Sequence, residues 1–542
     1  MDASPNNGVA KDVNGNAVAI DANGDREISY AEALNIGELY IGGGNSGSDY
    51  VLSLDGIEYF TNLTVLTCYP VRFSSLDLSA LTKLKELYLP TVLTRNYEVA
   101  NGWKGYLSSL TLPQTQTLEV LDISGSSVTN LDFLSWYPNL KKLNIDNANV
   151  ENINISGFQH LEELSAMQRI SNVNITLSDL PELTTLNCSV SLFPDCTYYP
   201  SRDPSWDCSI SYLPPSQSPK INLSLSNLPK IETLNIQGKN ITINNLPNLT
   251  KLDCSSDYDA TLGYPCPVES LVLSGVPKLT EIGAYNQRLK TLDLSNVPNL
   301  VTLGLGKYII DSTLTLENLN VSKNINLQTL NLGENRIPTL DVSKNINLKT
   351  LTLSDNYSLQ TLDVSHNINL VRLELWGCTG LTSLHMKNGV KKTFDVRGWG
   401  WSSGVDNNYY LNDTSLNYIC CDEDEIDAVK EYMQSFTQWD NNTQSYYSLN
   451  PTVTSDCEPY GLGTEDLSPQ AKATLYPNPV KDVLYFSAGK VAKAEVYDLN
   501  GRLVKTSAVS NNSVNVSSLS KGVYFIILHT DKGTVKEKFI KN

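Results

Sequence analysis

The chain has 542 residues, of which 18% are charged and 8% aromatic, and its formal net charge is −18. A single compact core rarely holds so many residues, whereas a repetitive solenoid can, because each unit contacts only its neighbours. The negative charge argues against nucleic acid and anionic membranes as partners, since both are bound by basic patches. No stretch reaches the roughly 18 apolar residues that a membrane-spanning helix needs, so no membrane span is predicted.

The N-terminal stretch, residues 1–36, is predicted to form a cap with an acidic loop of the EF-hand type. The loop positions that supply oxygen ligands in such a loop are occupied by Asp21, Asn23, Asp25, Glu27 (through its carbonyl) and Glu32. The sixth position, commonly glycine, is Arg26, whose side chain makes a positive φ cost about 1 kcal/mol. The spacing predicts a weak Ca²⁺ site and no other cofactor; a polar turn that caps the following helix is the alternative.

Residues 37–400 repeat the pattern Leu-x-x-Leu-x-apolar. The clearest copies begin at Leu327, Leu348 and Leu370, and each is followed by a second alternating run such as Leu340 to Val342. Alternation turns the leucines inward and their neighbours outward along a β-strand. One such unit cannot bury its own apolar edge, so units must stack. The pattern therefore predicts a mainly β leucine-rich-repeat solenoid, curved, with short parallel strands and few helices.

The two runs of each coil are predicted to lie on different sides of the solenoid. Many first runs begin two residues after a proline, as Leu140 follows Pro138 and Leu300 follows Pro298. A serine three residues before the proline can cap a short helical turn, and proline fits its first turn. The runs after prolines are therefore placed on the concave sheet and the others on the outer side; equivalence of the two runs is the alternative.

Four steps between repeats are longer than a coil and predict loop insertions, after Leu84, Leu183, Leu249 and Leu300. Aromatic residues, which supply most binding energy at interfaces, are concentrated in these loops and at the end of the repeats, whereas the sheet positions are mostly Thr, Asn, Lys and Glu. The predicted ligand-binding residues are Tyr198, Tyr199, Trp206, Tyr212, Tyr258, Tyr264, Trp399 and Trp401. Packing along the repeat edge is the alternative explanation for these aromatics.

No signal peptide is visible at the N-terminus, so the chain is either cytosolic or has lost its signal. The ten cysteines bear on that choice. Three pairs flank loops or the segment after the repeats: Cys196–Cys208, Cys254–Cys266 and Cys421–Cys457, with Cys420 beside the last pair. Such pairs favour disulfides and an oxidising compartment. Metal binding is the alternative, although no Cys-x-x-Cys motif or nearby histidine supports it.

The C-terminal part of the chain is predicted to hold three further segments. Residues 401–457 suit a cap that closes the open end of the stack, with a helix at 422–436 that places Ile426, Val429 and Met433 on one face. Residues 458–473 read as a linker by composition. Residues 474–542 contain short alternating runs separated by turn residues, which predicts a small antiparallel β-sandwich.

Three motifs in this last domain are distinctive: Leu475 to Pro479, Val496 to Arg502, and Leu519 to Phe525. They closely resemble the C-terminal sorting domain of type IX secretion in Bacteroidota. The repeats resemble the secreted, internalin-like leucine-rich-repeat proteins of the same bacteria, where an acidic segment often precedes the repeats. The resemblance implies that a signal peptide has been removed, that residues 474–542 engage the type IX secretion machinery, and that the product is secreted or attached to the outer surface.

No sequence motif for catalysis is found. The four histidines are scattered over different repeats and domains: His160, His366, His385 and His529. Nucleophile-elbow, zinc-protease and phosphate-loop motifs are not found. The sequence therefore predicts a protein that is not an enzyme but a secreted or cell-surface scaffold, which binds a protein partner on a host or neighbouring cell through its repeats and loops. The alternative is a glycan-binding adhesin, in which the aromatic residues between 399 and 410 stack sugars.

Overall fold

The computed structural model divides the chain into two compact units, Met1–Cys457 and Glu458–Asn542. The residues that it describes are 8–42, 51–91, 107–167, 173–188, 221–255, 268–307, 316–390, 393–394, 408–435, 437–440, 445–457, 474–487, 491–497, 503–509, 512–530 and 533–542. The predicted linker at 458–473 lies outside these residues. Each unit is described separately below.

The first unit begins with a small cap. Strand β1 (Ala10–Asp12) pairs antiparallel with β2 (Ile36–Gly42), and helix α1 (Tyr30–Asn35) precedes β2 directly. A capping box starts the helix, since the Ser29 side chain accepts from the Glu32 amide and the Glu32 carboxylate accepts from the Ser29 amide. Because β2 pairs in parallel with β3 (Val65–Tyr69), the solenoid begins where α1 ends.

The first runs of the repeats form a long parallel sheet, here called the first ladder. From β2 and β3 it continues through β5 (Glu86–Tyr88), β7 (Val120–Asp122), β8 (Lys142–Asn144), β10 (Glu163–Ser165) and β12 (Thr185–Asn187). A parallel bridge from Cys188 to Ile236 leads to β14 (Thr233–Asn235), β16 (Lys251–Asp253), β18 (Glu281–Gly283), β20 (Thr302–Gly304), β22 (Thr329–Asn331), β23 (Thr350–Thr352), β25 (Arg372–Glu374), β28 (Asn408–Tyr410) and β27 (Thr393–Phe394). The central leucines, such as Leu66 and Leu87, are paired and fully buried, as alternation predicts.

The second runs pair with one another in separate parallel sheets, here called the second ladder. Its largest sheet has five strands, in sequence order β9 (Asn152–Ser156), β11 (Val173–Ser178), β13 (Ile221–Ser226), β15 (Asn240–Asn244) and β17 (Ser270–Ser274). Smaller sheets pair β4 (Ser75–Asp77) with β6 (Ser109–Thr111), β19 (Thr291–Leu292) with β21 (Asn318–Leu319), and β24 (Thr361–Asp363) with β26 (Ser383–His385), β29 (Tyr418–Cys420) and β32 (Thr452–Thr454). The two runs of a coil thus belong to distinct ladders. Short 3-10 helices, Ile57–Tyr59 and Asp132–Trp136, replace the second strand in two coils.

Buried asparagines join successive coils. Asn345 donates from Nδ2 to the carbonyls of Val321 and Asn324 in the coil before it, at 3.0 and 2.8 Å. Asn367 repeats the arrangement on the carbonyls of Val342 and Asn345, at 3.0 and 2.8 Å. These side chains are fully buried, so they satisfy backbone acceptors that water cannot reach.

The segment after residue 400 extends the second ladder as well as covering its end. Strands β29 and β32 add two further parallel rungs to β26. The predicted helix is present as α2 (Ile426–Ser435), after a 3-10 turn at Glu423–Glu425, and it buries Val429, Tyr432 and Met433. An antiparallel pair, β30 (Thr437–Asp440) and β31 (Ser445–Ser448), follows it. Coil structure therefore reaches further than the predicted boundary at 400.

A disulfide closes this end of the first unit, between Cys420 and Cys457, whose Cα atoms are 5.5 Å apart. The predicted pairing of Cys421 with Cys457 is therefore wrong. The physical reason is strand alternation: Cys421 takes the inward position that Val364 and Met386 hold in the two preceding coils, and it is fully buried.

The predicted pairing of Cys254 with Cys266 is not present either, because the structure gives Cys254 as a free thiol. Its side chain takes the inward apolar position of its repeat, and burial raises the pKa of the thiol to about 12. Cys266 and the predicted pair Cys196–Cys208 lie outside the described residues.

The second unit is a small antiparallel sandwich, as predicted. One sheet contains β33 (Thr474–Tyr476), β34 (Val483–Ser487) and β37 (Ser513–Asn515), and the other contains β35 (Val491–Tyr497), β36 (Leu503–Ala508), β38 (Gly522–Thr530) and β39 (Gly533–Lys541). All strand pairs are antiparallel. Phe486, Val496, Leu528 and Phe539 are among the buried residues that give this unit a core of its own.

Candidate functional site

The outward side of the first ladder carries tyrosines at its N-terminal end. Tyr40, Thr67 and Tyr88 lie opposite one another on β2, β3 and β5, because each follows an inward leucine. Asp122 continues the row on β7, and Tyr69 lies at the end of β3. Tyr40 is 48% exposed and Tyr69 is 40% exposed. These five residues are called the N-terminal face.

Hydrogen bonds hold the polar groups of this face in place. The Tyr88 hydroxyl donates to Glu86 Oε2 at 3.0 Å. Partial burial, and then the hydrogen bond and negative charge of Glu86, raise the pKa of Tyr88 to about 12, so its hydroxyl remains a donor at neutral pH. Asn144 Nδ2 donates to Asp122 Oδ2 at 3.1 Å. The face therefore presents ordered donors and acceptors beside aromatic rings.

Charges next to the N-terminal face are paired. Lys141 Nζ lies 2.6 Å from Glu119 Oε2, and Lys142 Nζ lies 2.7 Å from Glu163 Oε1. These pairs are exposed to solvent, which screens their attraction, so they contribute little to stability. They place charges of both signs beside the N-terminal face.

A second group of aromatic and charged residues lies at the C-terminal end of the first ladder. Trp376 is 41% exposed and Tyr357 is 55% exposed. Arg372 forms an ion pair with Glu374, and the Tyr357 hydroxyl donates to Asp355 Oδ1 at 3.2 Å. Burial raises the pKa of the Asp355 carboxyl above its usual value. These five residues are called the C-terminal face.

The interpretation that aromatic contact area belongs to the loops and not to the sheet is therefore incomplete, since Tyr40, Tyr69 and Tyr88 lie on the sheet itself. Alternation could have shown this, because each tyrosine occupies an outward position of its strand. The predicted ligand-binding residues in the loops lie outside the described residues: Tyr198, Tyr199, Trp206, Tyr212, Tyr258, Tyr264, Trp399 and Trp401. Their role stays a prediction.

In the acidic loop of the cap, the carboxylates accept hydrogen bonds from the backbone amides of the same loop. Asp21 accepts from the amides of Gly24 and Arg26, at 2.7 and 2.8 Å. Glu32 Oε1 accepts from the Ala22 amide at 2.7 Å. Arg26 adopts a φ of 72°, as the glycine position of such a loop requires. The loop therefore has a positive φ at its sixth position, while its carboxylates bond to backbone amides.

The donor set of this loop, Asp21, Asn23, Asp25, the Glu27 carbonyl and Glu32, consists of oxygen atoms, which suit Ca²⁺. In the described part of the chain, however, no group of three or more His, Cys, Asp or Glu side chains converges as metal ligands would. Binding would require the carboxylates to turn from the backbone amides toward the ion. The Ca²⁺ site stays a prediction.

The second unit indicates how the protein is exported from the cell. Residues 474–542 match the family described as the secretion system C-terminal sorting domain. This unit is a type IX sorting domain. A stretch of 84 residues is also 37% identical to beta-agarase D of Zobellia galactanivorans, and this stretch covers 15% of the chain and 16% of that enzyme. The sorting domain directs the chain to the cell surface or to secretion.

Solved structures similar to the whole chain include two from Listeria monocytogenes. One is the functional domain of InlJ, which includes a cysteine ladder; it is 19% identical, with 95% of this chain and 92% of that chain covered, at a TM-score of 0.35. The other is the internalin inlF, which is 16% identical, with 74% and 93% covered, at a TM-score of 0.31. In the part of the chain that the structure describes, no helix is long and apolar enough to span a membrane.

Proposed function

We propose that the exported repeats are a binding scaffold for a protein partner on a host or neighbouring cell, with no catalytic step. The observation that carries this proposal is the N-terminal face, where exposed Tyr40 and Tyr69 lie beside ordered polar groups on a parallel sheet. Tyrosine and tryptophan dominate binding energy at protein interfaces, because they offer large contact area at low entropic cost.

The location of the face supports a macromolecular partner. Outward residues of parallel strands repeat at about 4.8 Å, so several coils together present a broad surface rather than a cavity. A broad surface with aromatic anchors and paired charges suits a folded protein better than a small molecule, which needs a concave pocket. The C-terminal face, with Trp376 and Tyr357, offers a second area of the same chemistry on the same ladder.

The experiment is affinity capture with purified protein from cell-surface extracts, followed by measurement of affinity for the captured partner. Replacing Tyr40 and Tyr88 by alanine should weaken binding by more than about 1 kcal/mol for each hot-spot residue. Tyr485→Ala is the matched control, because Tyr485 is 42% exposed in the other unit. Equal effects of the face and control substitutions, or retained affinity in the Tyr40/Tyr88 variant, would refute this placement.

A further inference from the structure

A polar groove lies beside the second ladder, and none of its lining residues belongs to the N-terminal or C-terminal face. It is formed between the 3-10 helix Asp132–Trp136 and the edge strand β9, and its volume is about 850 Å³. Nine of its twelve lining residues carry an amide, a hydroxyl or a carboxylate, among them Asn130, Asp132, Glu151, Asn152 and Asn154. The volume lies in the range of small-molecule sites.

A row of hydrogen-bonded asparagines ends in this groove. Asn240 Nδ2 donates to Asn222 Oδ1 at 2.7 Å, and Asn222 Nδ2 donates to Asn174 Oδ1 at 2.8 Å. Asn174 in turn donates to Asn152 Oδ1 at 2.8 Å. All donors thus point toward β9, which is the edge strand of its sheet. Such chains polarise each member, so the last amide is a strengthened donor.

The last amide has no acceptor among the residues that the structure describes. Asn152 accepts from Asn174, but its own Nδ2 makes no hydrogen bond to any described residue, and Asn152 lines the groove. A neighbouring row, formed by the residues that directly follow three strands of this sheet, ends differently: Asn245 donates to Asn227, and Asn227 donates to the Asp179 carboxylate at 2.6 Å. A carboxylate ends a row because it only accepts, whereas the row at the groove ends on a donor.

The other residues that line the groove indicate the chemical class of its ligand. The described lining contains Asp132 and Glu151 but no Lys, Arg or His, so an anionic ligand would be repelled. Carboxylates only accept hydrogen bonds and the Asn152 amide offers a donor, so the ligand must both donate and accept at closely spaced atoms. Sugar hydroxyls do both. Phe158, half-buried in the wall, provides an apolar surface for the face of a sugar ring.

We propose that this groove binds a neutral oligosaccharide, with the Asn152 amide donating to a sugar oxygen and Asp132 and Glu151 accepting from sugar hydroxyls. The lining residues all lie between positions 129 and 158, so the sequence pattern did not single them out as sugar-binding residues. The groove is independent of the protein-binding face, since the two lie on different ladders. The chain would then hold a glycan and a protein at the same time.

The test uses the full chain with cellohexaose, laminarihexaose, mannohexaose and maltohexaose as neutral probes, and with hyaluronan hexasaccharide and spermidine as anionic and cationic comparators. Ligand-observed NMR detects binding, and calorimetry gives the dissociation constant. We expect at least one neutral probe to bind. Asn152→Asp keeps the acceptor for Asn174 but removes the donor, and should weaken binding about tenfold or more. Asn154→Val should weaken it as well.

Asn240→Asp is the matched control, because it makes the same chemical change at the far end of the row, three strands from the groove. It should change the affinity less than about twofold, since the hydrogen bonds from Asn222 to Asn174 and from Asn174 to Asn152 remain. Melting temperatures of all three variants establish that they are folded. The proposal is overturned if no neutral probe binds, if only hyaluronan or spermidine binds, or if Asn240→Asp is as harmful as Asn152→Asp.

Discussion

The ring of Tyr285 lies directly over Gly304, so that a side chain on this glycine would collide with the ring. Gly304 occupies an outward position on β20, in the middle of the first ladder. The absence of a side chain there leaves room for the hydroxyl end of the Tyr285 ring.

Gly304→Ala should therefore displace the Tyr285 ring and destabilise the repeats by about 1 kcal/mol, the lower end of overpacking costs. The free energy of unfolding in denaturant is the measurement. In the double variant with Tyr285→Ala the added methyl group should cost little, giving a coupling energy between the two sites. Additive effects of the two substitutions would contradict the contact.

The disulfide should stabilise the C-terminal end of the first unit. It joins residues 37 apart in sequence, and a loop of that length is worth roughly 4 kcal/mol by chain entropy. Cys420→Ala should lower the melting temperature and release one alkylatable thiol at Cys457, as shown by intact mass. Cys421→Ala should leave the disulfide intact; loss of the disulfide in that variant would restore the pairing first predicted.

The N-terminal cap should lose stability in acid through Glu32. The hydrogen bonds from Ser29, first that of its amide and then that of its hydroxyl, lower the pKa of Glu32 from 4.5 to about 2. A lowered pKa in the folded state means that the contribution is complete above about pH 4.5 and is lost as the pH falls toward 2. Hydrogen exchange of the α1 amides measures this. In Glu32→Gln the dependence on pH over that window should disappear.

Calcium should stabilise the same cap modestly. A site at a tenfold excess of ion over its dissociation constant gains about 1.4 kcal/mol. Asp21→Ala with Asp25→Ala should abolish any rise in melting temperature on adding calcium. Arg26→Gly should increase that rise, because it removes a cation beside the ion and relieves the positive φ of 72°. A starting protein that does not respond to calcium would favour the polar turn.

The sorting domain should be dispensable for folding of the repeats and required for export. It has its own buried core, and the chain divides into compact units just before it. Truncation at Ala471 should leave folded repeats in the periplasm, detected by protease resistance in fractionated cells. Wild-type amounts of truncated protein at the cell surface would show that export does not depend on this domain.

The two ladders could be predicted because the alternation of apolar and polar residues determines which side chains of each strand point inward. A one-residue slip would turn every leucine outward, so the inward register of Leu66 and Leu87 follows from the pattern alone. The same rule, extended to the residues between the leucines, places Tyr40 and Tyr88 outward. It also places Cys421 inward and leaves Cys420 for the disulfide, although the repeat pattern weakens before that strand.

The groove could not be predicted in the same way. Asn152 and Asn240 are 88 residues apart in the sequence, and only the stacking of coils puts them in one row. The direction of the amide chain depends on the rotamer of every member. No spacing rule records that one row ends on a donor while its neighbour ends on Asp179.

The buried asparagines make the folding of each coil depend on the coil that follows it in the sequence. Each of them belongs to a later coil and serves carbonyl groups of an earlier one, as Asn367 does for Val342. A newly synthesised coil therefore has carbonyl groups without these hydrogen-bond donors until the next coil has folded onto it. A substitution in one coil should therefore destabilise the preceding coil. Asn345→Leu should destabilise the coil that contains Val321 more than the coil that carries the substitution, because the Val321 carbonyl loses its donor.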